Sequence, residues 1–241
     1  MAQNDEIIGV IPTSSVDAGL RAYMLKIYNY MTGGIALTAL VAMLVASNEG
    51  LMAAIFGTPL KWVALLAPFV LVFFMAAKIA TMSKQTAQIC FWAYSALMGV
   101  MFSAIVVAYM GMDGGGTLAR AFFITAGTFA GISLLGYTTK RDLSSFGSFL
   151  IMGLWGLILA SLVNIFMQSG ALDFALSIIG VLVFTGLTAF DTQRLKRLYT
   201  TSGGSVGSHE NVAIMGALML YMDFINLFLY ILRILSAVNR R

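Results

Sequence analysis

A series of apolar runs, each about 20 residues or longer, dominates what this sequence can fold into. At a rise of about 1.5 Å per residue, a helix of that length crosses the roughly 30 Å hydrocarbon core of a bilayer. Inside hydrocarbon every backbone N–H and C=O must find its partner within the segment, so such runs are expected as helices. Seven runs are separately long enough: 27–47, 60–82, 87–110, 117–137, 146–167, 173–192 and 212–235. Composition agrees, with 60% hydrophobic and only 10% charged residues, where soluble domains carry about 25% charged. The expectation is an all-α integral membrane protein with seven transmembrane helices and no sizeable soluble domain. Residues 1–26 read as a polar N-terminal tail, 27–235 as the transmembrane domain and 236–241 as a short basic C-terminal tail. The first run lacks the small-residue cleavage pattern of a signal peptide, so it is expected to stay as a span.

The breaks between runs carry turn chemistry. Asn48-Glu49-Gly50 and Thr58-Pro59 punctuate the first connection, the glycines after Asp113 the third, and Gln168-Ser169-Gly170 the fifth. The stretch 194–210, rich in bases, Gly and Ser, reads as the longest polar loop. With seven spans, Arg21, Lys26, Lys78, Lys84, Lys140, Arg141, Arg194, Lys196 and Arg197 fall on one side. Lys61, Arg120, Arg233, Arg240 and Arg241 fall on the other. The larger basic set marks the cytoplasmic face and puts the N-terminus there. The net charge of +4 is accounted for by these membrane-edge bases, and no nucleic-acid partner is expected. Glycines inside the runs, among them Gly99, Gly127, Gly131, Gly156 and Gly180, are read as close-packing positions between helices.

Familiar catalytic and metal chemistry finds no support. One cysteine (Cys90) and one histidine (His209) exclude a disulfide and any zinc-ligand spacing. Cys90 reads as a small buried hydrophobe and His209 as a solvated loop histidine. No phosphate-binding loop surrounds the glycines at 114–116. No nucleophile, base or metal set is visible, so the chain does not read as an enzyme, and no cofactor is expected.

Acids inside the apolar runs are what remains. Asp173 opens the sixth run, where a helix N-terminus favours a carboxylate, and is read as a cap. Asp191 lies near the end of the same run, three residues before Arg194, with which it could pair locally. Asp223 is central in the seventh run and shares a face with Asn226 and Tyr230. An ionisable group at that depth costs at least about 2.5–3.5 kcal/mol and belongs on the bundle interior or a watered cavity. A protonated acid that glues helices is one reading; an ion or proton role is the other. Asp191 and Asp223 can meet only if their depths agree. With Asp191 near one edge and Asp223 halfway across, a water-filled cavity would have to close the gap. Two carboxylates in contact would share a proton and respond to pH. Two acids are too few for a tight calcium cage but suffice for transient passage.

Four motifs carry a resemblance: YMDFINLFLY (221–230), GLTAFDTQR (186–194), GYTTKRDL (136–143) and the tyrosines of 22–30. Together they resemble the Bax inhibitor-1 family of multi-pass membrane proteins, in its bacterial branch, over residues 22–235. The resemblance implies two three-helix layers around a central C-terminal helix, here 212–235, which should be the most enclosed of the bundle. It implies a pH-sensitive calcium leak gated by Asp191 and Asp223, with calcium as the permeant ion. Lys78 is the nearest match to a basic residue that pairs with this dyad in some members, and Asn226 supports it from the next turn. It further implies the bacterial cytoplasmic (inner) membrane. The alternative is a regulator that does not transport and instead restrains another membrane protein, such as a quality-control protease, through its polar tail or helix faces.

Overall fold

A computed structural model describes residues 13–79, 81–202 and 210–239. His209, most of the 203–210 loop segment, residues 1–12 and the final two arginines lie outside the described residues. The described residues form eight helices and no strand: α1 (Thr13–Ala46), α2 (Glu49–Phe56), α3 (Leu60–Lys78), α4 (Lys84–Asp113), α5 (Gly116–Thr138), α6 (Ser144–Met167), α7 (Gly170–Thr201) and α8 (Glu210–Asn239). All but α2 are long and apolar enough to cross a membrane.

The helix ends follow local chemistry. Ser83 caps α4 by accepting from the Thr86 N–H at 3.1 Å. The turn from α4 to α5 needs two left-handed residues in succession, and Gly114 and Gly115 supply them at φ 65° and 82°. Asp113 then accepts the Thr117 N–H at 2.7 Å, closing the start of α5. The cap of α7 is Ser169, which accepts from Leu172 N–H. Asp173 is therefore not the cap; it sits in the first turn and reaches Arg233 of α8 at 3.6 Å.

Six of the seven spans pack as two layers of three around the seventh, α8. In one layer α4 lies between α1 and α3; in the other α7 lies between α5 and α6. Helix α8 touches α1, α4, α5 and α7 and fills the space between the layers. About two thirds of its most apolar window is buried (67%), against a third or less for every other span. Aromatic rings make the seal: Phe91 and Tyr94 of α4 meet Tyr221, Phe102 stacks on Phe228, and Phe129 of α5 meets Phe224 edge-on. The fully buried Tyr221 hydroxyl pairs with Thr38 at 2.7 Å, and Thr38 donates to the Ser95 carbonyl at 2.8 Å. That chain ties α8 to α1 and α4 with each hydroxyl partnered, as a buried hydroxyl requires.

Several boundaries differ from the sequence expectation. Helix α1 begins at Thr13, not at 27, and Leu20, Tyr23, Met24 and Ile27 form a buried stripe at the i, i+3, i+4, i+7 spacing. Helix α7 continues through the basic stretch to Thr201, because Leu195 and Tyr199 keep one face in the core. Helix α8 runs on to Asn239, where Asn239 donates to Thr117 at 2.8 Å. The first connection holds α2, an apolar helix with no buried residue, capped by Asn48. Such a helix suits the membrane interface. The glycines also divide. Gly99 faces the α1 backbone and Gly136 the α7 backbone at distances no side chain tolerates. Gly127, Gly131 and Gly156 have nothing within 4 Å, so they are not close-packing positions.

Candidate functional site

The depths of the two interior acids agree once the true helix ends are counted. Asp191 lies ten residues before the end of α7 and Asp223 thirteen after the start of α8. By helical rise those are roughly 15 and 20 Å from the same end of the bundle. Because α7 and α8 are in close contact, the two carboxyl groups come within hydrogen-bonding reach. No water cavity is required to bring them together. Both are enclosed, at 9% and 5% exposure. One oxygen of Asp223, Oδ2, is buried without any donor. A carboxylate only accepts, so two ionised acids in this contact would leave each other unsatisfied.

The sequence-derived companions of the pair are placed elsewhere. Lys78 is exposed at the end of α3, a helix that packs on α4, and makes no ion pair among the described residues. It does not reach the acids. Asn226 donates its amide to the Met222 carbonyl of its own helix at 2.8 Å and does not bond Asp223. Arg194 is exposed and within electrostatic reach of Asp191, but forms no ion pair with it. The partner that Asp191 finds is thus across the α7–α8 interface rather than along its own helix.

Hydroxyl groups that the sequence reading passed over join α1, α5 and α7. Tyr28 of α1 meets Ser133 of α5 at 2.5 Å, and Ser133 meets Thr192 of α7 at 3.0 Å. Thr192 directly follows Asp191 in the chain, so this set of hydroxyls ties α1 and α5 to the segment of α7 that carries the acid. Buried hydroxyls spaced along otherwise apolar spans are the signal that could have found them. Thr188, one turn before Thr192, is satisfied within its helix by the Phe184 carbonyl at 2.8 Å.

Two polar clamps fix the end of the bundle from which both depths were measured. Glu210 opens α8 and binds Lys84 at 2.5 Å and the Tyr30 hydroxyl at 2.8 Å. Its neighbour Asn211 donates to the Met82 carbonyl at 2.6 Å. On the other layer, the α5–α6 connection is held to α7. Gln193 accepts from Leu143 N–H and donates to the Arg141 carbonyl, and Lys196 donates to the Tyr137 carbonyl. Arg197 pairs with Asp142 at 2.6 Å. Arg197, with the Ser144 N–H behind it, holds the Asp142 carboxyl well below the usual carboxylate range.

The arrangement offers two acid side chains and no third. Among the described residues no cluster of three His, Cys, Asp or Glu side chains could hold a metal. A tight calcium site takes about six to eight oxygens, roughly three to four times what two monodentate acids give. What the pair can do is bind and release a proton, and attract a cation when apart.

Comparison with known proteins agrees with the fold. The family described as Inhibitor of apoptosis-promoting Bax1 matches residues 20–240. The inner membrane protein YbhL of Escherichia coli K12 is 44% identical over 230 residues, covering 93% of this chain and 94% of that protein. The uncharacterized protein RP147 of Rickettsia prowazekii is 46% identical over 226 residues, covering 93% and 92%. A membrane protein of Streptococcus pyogenes serotype M1 is 38% identical over 227 residues, covering 93% and 96%.

Proposed function

The chain belongs to the Bax inhibitor-1 family, and from that premise we propose that it is a slow, pH-sensitive cation leak with Asp191 and Asp223 as its gate. Calcium is the cation that a pair of carboxylates suits best, as a hard ion that seeks oxygen. The observation that carries this reading is the contact itself: two enclosed acids, on consecutive helices, meeting at the centre of the bundle with one oxygen lacking a donor. Like charges in contact cannot both persist cheaply, so the closed pair holds one proton between its two groups. A change in that proton count changes the contact, and the contact closes the route between the two three-helix layers. Helix adhesion alone is a weaker account, because a neutral amide pair would glue helices without the roughly 2.5–3.5 kcal/mol insertion cost of each acid.

The membrane is the bacterial cytoplasmic membrane, in line with the description of the Escherichia coli relative as an inner membrane protein. The N-terminus is cytoplasmic, which gathers Lys84, Arg141, Lys196 and Arg197 on that face. The reading is tested in sealed vesicles loaded with a calcium dye. The wild-type protein should admit calcium slowly and in a pH-dependent way, and Asp191→Asn and Asp223→Asn should each change the rate and flatten the pH profile. Flux and profile unchanged in both variants would overturn it.

A further inference from the structure

A groove runs between α1 and α5 on the outer surface of the bundle, with a volume of about 680 Å³. Its walls extend along α1 from Arg21 to Ile35 and along α5 from Tyr137 to Phe122, with Phe224 of α8 as part of the floor. Roughly fourteen helical steps from Arg21 to Ile35 make that length about 21 Å. The lining is mostly apolar; its hydroxyls are Thr32, Tyr137 and the Tyr28–Ser133 pair that bridges the walls. The rim is built of exposed apolar side chains, Leu25 at 51% and Leu134 at 63%, so the groove opens sideways toward hydrocarbon rather than toward water. One charge lies in it, Arg21 at one end, and its guanidinium makes no ion pair with any described side chain.

We propose that this groove is a specific phospholipid site, taking one acyl chain along its length and the lipid phosphate on Arg21. The chemistry at each end selects that occupant. A long dry channel open to the bilayer accepts a hydrocarbon chain at no cost in buried polar groups. A guanidinium at its end, unpaired among the described side chains, presents a donor fork that matches phosphate oxygens. The position of Arg21, next to the start of the apolar part of α1, is where a headgroup lies when its chain enters the core. The bound chain would rest on Phe129 and Phe224, the latter next to Asp223 in the chain of α8.

The probes are phosphatidylglycerol and a diacylglycerol with the same chains, added to delipidated full-length protein in neutral detergent and read by native mass spectrometry. Wild-type protein should retain one phosphatidylglycerol in preference to diacylglycerol. Arg21→Gln should weaken phosphatidylglycerol about tenfold, the effect of one charge-assisted contact, and leave diacylglycerol unchanged. Ala130→Trp, which fills the groove from an exposed position, should weaken both lipids. Both positions are exposed, and unchanged elution and Tm show that the variants fold. Equal retention of the two lipids by the wild type, or phosphatidylglycerol retention unaffected by either substitution, overturns the proposal.

Discussion

Replacing Gly136 by alanine tests a direct backbone contact between α5 and α7. A Cβ there would lie 2.4 Å from the Ala189 carbonyl oxygen, 2.9 Å from its Cα and 3.0 Å from its carbonyl carbon. All three are backbone atoms of α7, so no rotamer change relieves the contact. Ordinary contact begins near 3.4 Å, so α5 and α7 must separate by about 1 Å, a gap that forfeits a quarter to a half of each dispersion contact. Overpacking of this kind costs about 1–3 kcal/mol. For a chain of this length that lowers Tm by roughly 2–12 °C. Gly127, on the same helix, is the control: a Cβ there meets nothing within 4 Å, and alanine in a helix gains about 0.5–1 kcal/mol over glycine. The two substitutions are chemically identical and should shift Tm in opposite directions in detergent, followed by tryptophan emission. Gly136→Ala as stable as Gly127→Ala would refute the crossing geometry.

Other consequences are as specific. Thr38→Val should destabilise more than Tyr221→Phe, by about 1 kcal/mol or more in thermal unfolding. The first strands a fully buried phenol, while the second leaves Thr38 its bond to Ser95; the reverse order would show that the hydroxyl chain does not form. Asp142 is held low by Arg197 in the folded state, so this tie is complete above the ordinary carboxylate range near pH ~3.9 and weakens only as pH falls below it. Carboxyl NMR should therefore find Asp142 ionised throughout mild acid, and Arg197→Gln should return it toward the ordinary range; an Asp142 that titrates alike in both proteins contradicts the ion pair. Lys78→Ala should leave calcium flux and its pH profile unchanged, because Lys78 is exposed on α3 and remote from the acids; a changed profile would return Lys78 to the gate.

The spans were legible because each apolar run announces its own length, and the centrality of α8 followed from the cost of Asp223 in lipid together with the family resemblance. Helix ends were not legible where polarity and helicity part company. The basic stretch 194–201 reads as loop, yet Leu195 and Tyr199 hold it as helix; α1 begins within a polar segment for the same reason. That misplacement had a consequence for the site. Ending the sixth span at 192 put Asp191 at the membrane edge, and only the continuation of α7 to Thr201 brings it to the depth of Asp223. Partners across helices, such as Tyr28 with Ser133 or Glu210 with Tyr30, lie far apart in the chain and depend on helix rotation, which the apolar pattern of a membrane span barely constrains. Lys78 shows the opposite failure: a position matched by motif along the chain, with a side chain that is exposed on α3 and makes no ion pair among the described residues.

The central claim is that Asp191 and Asp223 act as one gate, and a double-mutant cycle on vesicle calcium flux measures that unity directly. Residues working as a unit are strongly non-additive. Asp191→Asn, Asp223→Asn and the double variant should therefore show the same altered flux and the same flattened pH profile. Effects of the two single substitutions that simply add in the double variant would mean that the acids act independently, and would contradict the gate.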